Sequence, residues 1–256
     1  MKFLYLLQEY AGRSVSRLCF SSSCCICHGY STYQPLCKTC RDRYSRELSV
    51  SFSGKRCRYC GRLLISEEQV CTECRKEDAL FPRYSMLLSD PFPVFLYLGK
   101  RKRLLTTWKI TGQRSLSFLY AGWLYTVLSQ RYAGLPVVPV PPRRNKLRET
   151  GWDQIEHLCR ILEAVYGVTV LRVLERTTTI QQKKLNRQQR LGSEGAGYVP
   201  LPENKLRRVM KQKPVPKRVV LLDDVITTGA TVVHAALALQ QAGVETVIPL
   251  SLFYVP

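Results

Sequence analysis

The sequence predicts an α/β domain built on a parallel sheet and preceded by a cysteine-rich module that binds metal. Three observations predict it. Four CxxC pairs crowd into residues 24–74. From residue 135 onward, the chain reads strand, loop, helix, strand, the order that builds a parallel sheet. Near the C-terminus, RVVLLDDVITTGATVVHAAL (218–237) sets two adjacent carboxylates directly after its most hydrophobic run. Threonine and glycine follow, and then a second apolar run.

The bulk numbers limit the function. At 256 residues the chain can hold one full domain and a smaller module. Its hydrophobic content of 45% is enough for a real core. The formal net charge of +20 implies an anionic partner: nucleic acid, a membrane surface or a phosphorylated ligand. No apolar run approaches the ~18 residues of a membrane span. MKFLYLLQEY has one Lys and a short apolar stretch, against the roughly 7–15 residues of a signal peptide. A cytoplasmic protein is therefore expected. Disulfides rarely persist there, so paired cysteines among the eleven point to metal.

The cysteine pairs are Cys24/Cys27, Cys37/Cys40, Cys57/Cys60 and Cys71/Cys74. Two intervening residues let a tight turn aim both sulfurs at one tetrahedral ion, and two such turns complete a four-thiolate Zn²⁺ site. The simplest pairing is sequential: one zinc on Cys24, Cys27, Cys37 and Cys40, a second on Cys57, Cys60, Cys71 and Cys74. Interleaved pairing fits the spacing as well, and Cys25 can replace Cys24 with a one-residue shift. Gly61, after Cys60, suits a knuckle turn that needs positive φ. Cys24–His28 spells the haem-attachment pattern CxxCH, which three further CxxC pairs argue against. His28 is expected at the surface, and Cys159 in a helix core. Basic residues, including Lys38, Arg41, Arg56, Arg58 and Arg62, interleave with the ligands, and three roles stay open for the module: contact with nucleic acid, docking of a partner, or capping of the larger domain. The module is placed at residues 1–80 and the larger domain at 81–256.

In the larger domain, Lys100–Arg103 reads as an exposed basic run. Helical spacing runs from about Leu116 to Leu128 and closes at Gly134. LPVVPVP (135–141) is a strand entering a loop, and the loop gathers Arg143, Arg144, Lys146 and Arg148. A helix from about Trp152 to Tyr166 ends at Gly167, and VTVLRVL (168–174) reads as another strand. Residues 176–190 carry five Lys/Arg and 205–218 carry seven, with no acid in either stretch. Trp108, Trp152 and Tyr198 are aromatics that can stack bases, although core packing is their commoner role. His157 and His234 read as structural or surface residues.

Val219–Leu222 is a buried-type strand, Thr231–Ala242 a helix, and VETVIPLSLFYV a final strand. Asp223–Thr231 is then a strand-to-helix turn at the carboxyl edge of the sheet, where ligands of such sheets sit. Thr227, Thr228, Gly229, Ala230 and Thr231 offer backbone N–H groups, hydroxyls and a glycine that lets a ligand approach, all at a helix N-terminus. That is a phosphate pocket, and it lacks the GxxxxGK[ST] of a Walker A loop. Carboxylates oppose a phosphate. Asp223 and Asp224 instead suit sugar hydroxyls, or a divalent cation held through water.

VVLLDDVITTGAT resembles the 5-phosphoribosyl-1-pyrophosphate (PRPP) motif of type I phosphoribosyltransferases. The four CxxC pairs, KITGQ (109–113), VPVPPRRNKLRETGWDQIEHL (138–158), Gln182 and Arg190 around QQKKLNRQQR, and LLDDVITTGAT, in that order, resemble the ComF family of competence proteins, of the ComFC type. The resemblance implies a phosphoribosyltransferase-like parallel sheet with an N-terminal double zinc-ribbon module. It places the ribose 2′- and 3′-hydroxyls on Asp223 and Asp224, the 5′-phosphate on Thr227–Thr231, and Mg²⁺ with the pyrophosphate. Arg143, Arg144, Arg148, Lys109, Lys183, Lys184, Arg187 and Arg190 become candidates for pyrophosphate or nucleic acid. The implied function is handling of single-stranded DNA in natural transformation, with a helicase-like partner, in the cytoplasm at the membrane-associated DNA-uptake machinery. Two alternatives stand beside it: an active phosphoribosyltransferase with an unknown acceptor, and a non-catalytic, zinc-dependent scaffold for the DNA-uptake helicase. The chain departs from the family in reading RETGWDQ for RxRGFNQ and LGSEGAGY after Arg190. Thr227 stands where some nucleobase transferases carry an acid.

Overall fold

In a computed structural model of the chain, residues 22–31, 35–142, 146, 151–176 and 197–255 are described. β1 (Ser22–Ser23) and β2 (Tyr30–Ser31) form a small antiparallel hairpin, followed by α1 (Lys38–Ser53). A short 3-10 turn (Glu73–Arg75) and α2 (Leu80–Arg83) lead to β3 (Phe92–Leu96). Then come α3 (Lys100–Lys109), α4 (Leu116–Arg131), β4 (Val137–Pro139) and α5 (Gln154–Tyr166). β5 (Leu174–Arg176), β6 (Tyr198–Pro200), α6 (Glu203–Val209), β7 (Arg218–Ile226), α7 (Ala230–Gln241) and β8 (Thr246–Tyr254) complete the described elements.

The main sheet has the order β3-β8-β7-β4, and every pair in it is parallel. This is the mixed α/β architecture with a parallel sheet that the strand–helix alternation predicts. Both faces of β7 and β8 are covered, which explains why those strands read as continuous apolar runs. On one face, Trp108, Tyr120, Leu124, Leu158 and Leu162 pack over Val220, Leu222, Ile248 and Leu250. On the other, Val233, Ala236 and Leu239 of α7 pack over Val219, Leu221 and Val247. The cysteine groups join these same cores, the first through Cys24, Cys40 and Tyr44 on one face, the second through Cys57–Cys74 and Phe81 on the other.

Several boundaries differ from the sequence expectation. VTVLRVL is not a strand along its length. It touches β4 through a single bridge, Val137↔Val170, and the strand proper, β5, pairs antiparallel with β6 in a separate sheet. The reason lies in β4. Val137 turns its N–H and C=O outward to Thr169 and Leu171, whereas Val140 donates inward to Leu222. By that alternation Pro139 also faces outward, where it has no N–H to give, so outer pairing stops. The Lys100–Arg103 run is the first turn of a helix and is exposed at Lys100, Lys102 and Arg103 as expected, with Arg101 meeting Glu47 at 3.5 Å and Arg103 donating to the Ile26 carbonyl at 3.1 Å. α5 begins at Gln154 rather than Trp152, because the Asp153 side chain caps it by accepting from Glu156 N at 2.8 Å. β7 runs on through both aspartates to Ile226, so the turn itself is only Thr227–Gly229. Among the described residues no helix is long and apolar enough to cross a membrane.

Candidate functional site

The cysteines gather in sequential order. The sulfurs of Cys24, Cys27, Cys37 and Cys40 form one group and those of Cys57, Cys60, Cys71 and Cys74 another, each within 4.8 Å of one another. All eight are free thiols, and Cys25 stands outside the first group. A tetrahedral Zn–S₄ centre with bonds of about 2.3 Å has S–S edges of about 3.8 Å. The Cys27–Cys37 and Cys60–Cys71 separations are 3.6 and 3.7 Å. Donor set and spacing therefore fit zinc at both groups.

Each group combines a knuckle with a helical start. In the knuckles, His28 N and Gly61 N donate back to Cys24 O and Cys57 O, both at 2.9 Å. The residue after the second knuckle cysteine takes positive φ in both, +59° at His28 and +70° at Gly61. The expected glycine role at Gly61 is met, while His28 holds the same conformation without glycine's freedom, with Arg103 against its ring. Cys37 precedes α1 and Cys40 lies in its first turn; Cys71 precedes the 3-10 turn and Cys74 lies within it.

Arg56 joins the second knuckle to the sheet. Its guanidinium donates to Ser51 O at 2.7 and 3.0 Å, to Pro93 O at 3.0 Å, and to Gly61 O and Ser51 Oγ. It lies 3.7 Å from the Phe92 ring centroid. Burial lowers its pKa to about 10. Arg62 is paired with Glu67 at 2.9 Å. These two cations, among the basic residues that interleave with the ligands, are engaged within the protein.

The predicted sugar-phosphate turn lies at the carboxyl end of β7. Asp224 is 8% exposed and points to the α3 side, where Lys109 Nζ meets its Oδ2 at 2.6 Å. Asp223 is half-buried and accepts from Asp224 N at 2.8 Å. Burial, and then the neighbouring Asp224 charge, push the Asp223 pKa up to about 7, while Lys109 pulls it down. Two adjacent like charges are thus tolerated because one is neutralised by a lysine and the other gives up much of its charge. Lys109, in KITGQ, is the one pyrophosphate candidate among the described residues, and the fold brings it onto the aspartates.

Gly229 corrects one expectation. It has φ +87°, and a Cβ there would lie 2.5 Å from the Phe81 ring. Phe81, not a ligand, occupies the space beside it, so the glycine serves the turn and the packing. Thr227 and Thr228 remain exposed, and Ala230 N lies 3.4 Å from Thr228 Oγ1. The first amides of α7 have no preceding helical carbonyl to bond and point toward this turn.

Arg143, Arg144, Arg148, Lys183, Lys184, Arg187 and Arg190 lie outside the described residues, as does Gln182. All seven cations of 205–218 are exposed, but that stretch ends at the amino end of β7, the rim opposite the turn. Trp108 is fully buried, with Nε1 donating to Ser117 Oγ at 2.8 Å, and Tyr198 is 8% exposed; both are packing residues. His157 is buried against Ser117 at 2.9 Å and Cys159 is a core thiol, as expected.

Fold and site together define a parallel α/β protein with two four-cysteine centres that fit zinc and a carboxylate pair beside an exposed strand-to-helix turn. No family model matches the chain. It is 25% identical over 217 residues to "Competence protein ComFC" of Streptococcus pneumoniae (strain ATCC BAA-255 / R6), covering 85% of this chain and 86% of that protein. It is also 25% identical over 212 residues to "Competence protein ComFC" of Bacillus subtilis (strain 168), covering 82% and 80%. The resemblance read from the motifs therefore extends over most of the chain.

Proposed function

We propose that this chain acts in DNA uptake for competence, with PRPP bound at the β7–α7 turn and single-stranded DNA on its basic surface. The observation that carries the reading is the Asp223–Asp224 pair at the carboxyl edge of the sheet, with Lys109 at 2.6 Å and an exposed threonine turn beside it. In this assignment the ribose 2′- and 3′-hydroxyls donate to the two carboxylates. The 5′-phosphate takes the amides and hydroxyls of Thr227–Thr231, with Gly229 and Ala230 contributing backbone N–H. Lys109 turns from Asp224 to the pyrophosphate. Mg²⁺, when bound, neutralises pyrophosphate charge. Two Zn²⁺ ions on the two cysteine groups hold the N-terminal segment together. The relatives named as competence proteins support the cellular role, and the net charge of +20 supports the polyanion.

The direct test of the DNA component is binding of a labelled single strand across a salt series. Phosphate contacts give a slope of about −0.7 per neutralised charge, and affinity indifferent to salt would overturn it. A second reading, phosphoribosyl transfer to an unidentified acceptor, is favoured by Asp223, whose pKa of about 7 suits proton exchange near neutrality. Release of pyrophosphate from PRPP upon addition of an acceptor, abolished in Asp223→Asn, would establish it. The same turn in an inert domain, docking a helicase-like partner, is the reading left if neither PRPP nor DNA binds.

A further inference from the structure

The second cysteine group and the threonine turn belong to one buried cluster. Cys57, Cys60, Cys71 and Cys74 share it with Phe81, Ile226, Val232 and Val233. Cys74, Thr227 and Thr228 also line a common cleft. A run of stitched turns joins the two. Arg75 N donates to Thr72 O at 3.3 Å, Lys76 N to Glu73 O at 3.4 Å, Ala79 N to Lys76 O at 3.1 Å and Tyr84 N to Leu80 O at 3.0 Å. These bonds carry the chain from Cys74 into α2, where Phe81 is 3% exposed. The Phe81 ring covers Gly229, the residue that caps α7. Beyond α2, Val247 N donates to Leu87 O at 2.9 Å and Ser89 N to Val247 O at 3.0 Å, which fastens the far end of the segment to β8. The near end is fastened by the cysteines alone: from Cys57 to Leu80 they are the only buried side chains.

We propose that Phe81 is a positioning residue for the Thr227–Gly229 turn, and that zinc on the second cysteine group, not the first, holds Phe81 in place and so sets ligand affinity at the turn. This rests on the sugar-phosphate reading of the turn and adds its dependence on one of the two centres. A segment whose buried side chains are four cysteines has no apolar core of its own, so the metal supplies its order. With that order lost, Phe81 no longer bears on Gly229. The ligand must then fix a loose turn itself, and that entropic cost comes out of its affinity. The first cysteine group packs in the other core, which takes in no described residue of 226–241. It meets α3 at the amino end, where Arg103 donates to Ile26 O at 3.1 Å. Leu104, Leu105 and Trp108 anchor that helix in the core before Lys109 is reached. Loading of the first group therefore leaves the turn where it is.

The test is calorimetric titration of the full chain with PRPP and Mg²⁺, comparing the zinc-loaded wild type with Cys57→Ser. Cys57→Ser should bind PRPP about tenfold more weakly, a factor ordinary for coupled sites. Binding free energies are reciprocal, so saturating PRPP should tighten zinc at the second group by the same factor and leave the first unchanged, read by competition with a chelator. Phe81→Leu should keep both zinc ions, weaken PRPP and abolish this reciprocal effect. Hydrogen exchange without ligand gives an independent readout. Amides of 227–231 should exchange faster in Cys57→Ser and in Phe81→Leu, while those of Val219–Leu222 keep their protection. Equal PRPP affinity in Cys57→Ser and wild type, or unchanged exchange at 227–231, would overturn the proposal and leave the sugar-phosphate reading standing. Faster exchange across β7 as well would show that the metal acts on global stability rather than through Phe81, which also overturns it. If the wild type binds no PRPP, the sugar-phosphate reading fails and this proposal with it.

Discussion

Replacing Arg56 by alanine removes the guanidinium that bridges the second zinc knuckle and β3 at the edge of the sheet. Three carbonyls, of Ser51, Gly61 and Pro93, lose their guanidinium partner together with Ser51 Oγ, and Phe92 loses the cation over its ring. Ser51 is fully buried and cannot turn to water. An unsatisfied buried polar group costs about 1–3 kcal/mol. With three carbonyls affected and water reaching part of the vacated volume, the expected loss is about 3–4 kcal/mol. Arg56→Lys keeps the charge but not the planar fork, and should lose roughly half as much. Guanidinium unfolding of the zinc-loaded chain reads the change, with the buried Trp108 and Trp123 as fluorescent reporters. A loss below about 1 kcal/mol would refute the claim that this arginine fastens the cysteine-rich segment to the sheet.

Three further outcomes follow from the same contacts. Gly61→Ala puts a Cβ onto the Pro91 carbonyl at φ +70°; the left-handed conformation alone costs about 1–2 kcal/mol, and elemental analysis should show the second zinc lost. The wild-type chain should bind two zinc ions and Cys57→Ser one. Because Cys27 is exposed while Cys57, Cys60, Cys71 and Cys74 are all buried, a chelator should remove one equivalent quickly and one slowly, and release of both in a single phase would contradict this. Asp223 has a folded-state pKa raised from 3.8 to about 7, so its contribution to stability is full below the unfolded value and is lost as pH rises through 7. Asp223→Asn should therefore gain thermal stability over wild type at pH 8 and show little gain at pH 4; equal gains at both would show that Asp223 titrates normally.

Much of the architecture was legible in the chain because local signals and tertiary environment agree. The β7 and β8 runs are apolar because both faces are buried, and four CxxC pairs at regular spacing leave few ways to build two tetrahedra. The failures have physical reasons. VTVLRVL has strand composition, but its neighbour ends at Pro139, which sequence alone does not place beside it. Arg56 looks like any surface cation until Ser51 and Pro93, 37 residues beyond it, converge on it. Gly229 signals a turn correctly, yet nothing local says that Phe81 fills the space above it. The Lys109–Asp224 pair joins residues more than a hundred positions apart, and only the family resemblance put both on one site.

The central claim is that the two aspartates at the end of β7 grip a phosphorylated pentose. Calorimetric titration of the zinc-loaded chain with PRPP and Mg²⁺, beside the Asp223→Asn/Asp224→Asn double variant, tests it most directly. Saturable binding by the wild type, lost in a double variant that keeps its zinc and its unfolding transition, is the predicted result. Equal binding by both, or none by either, would contradict it.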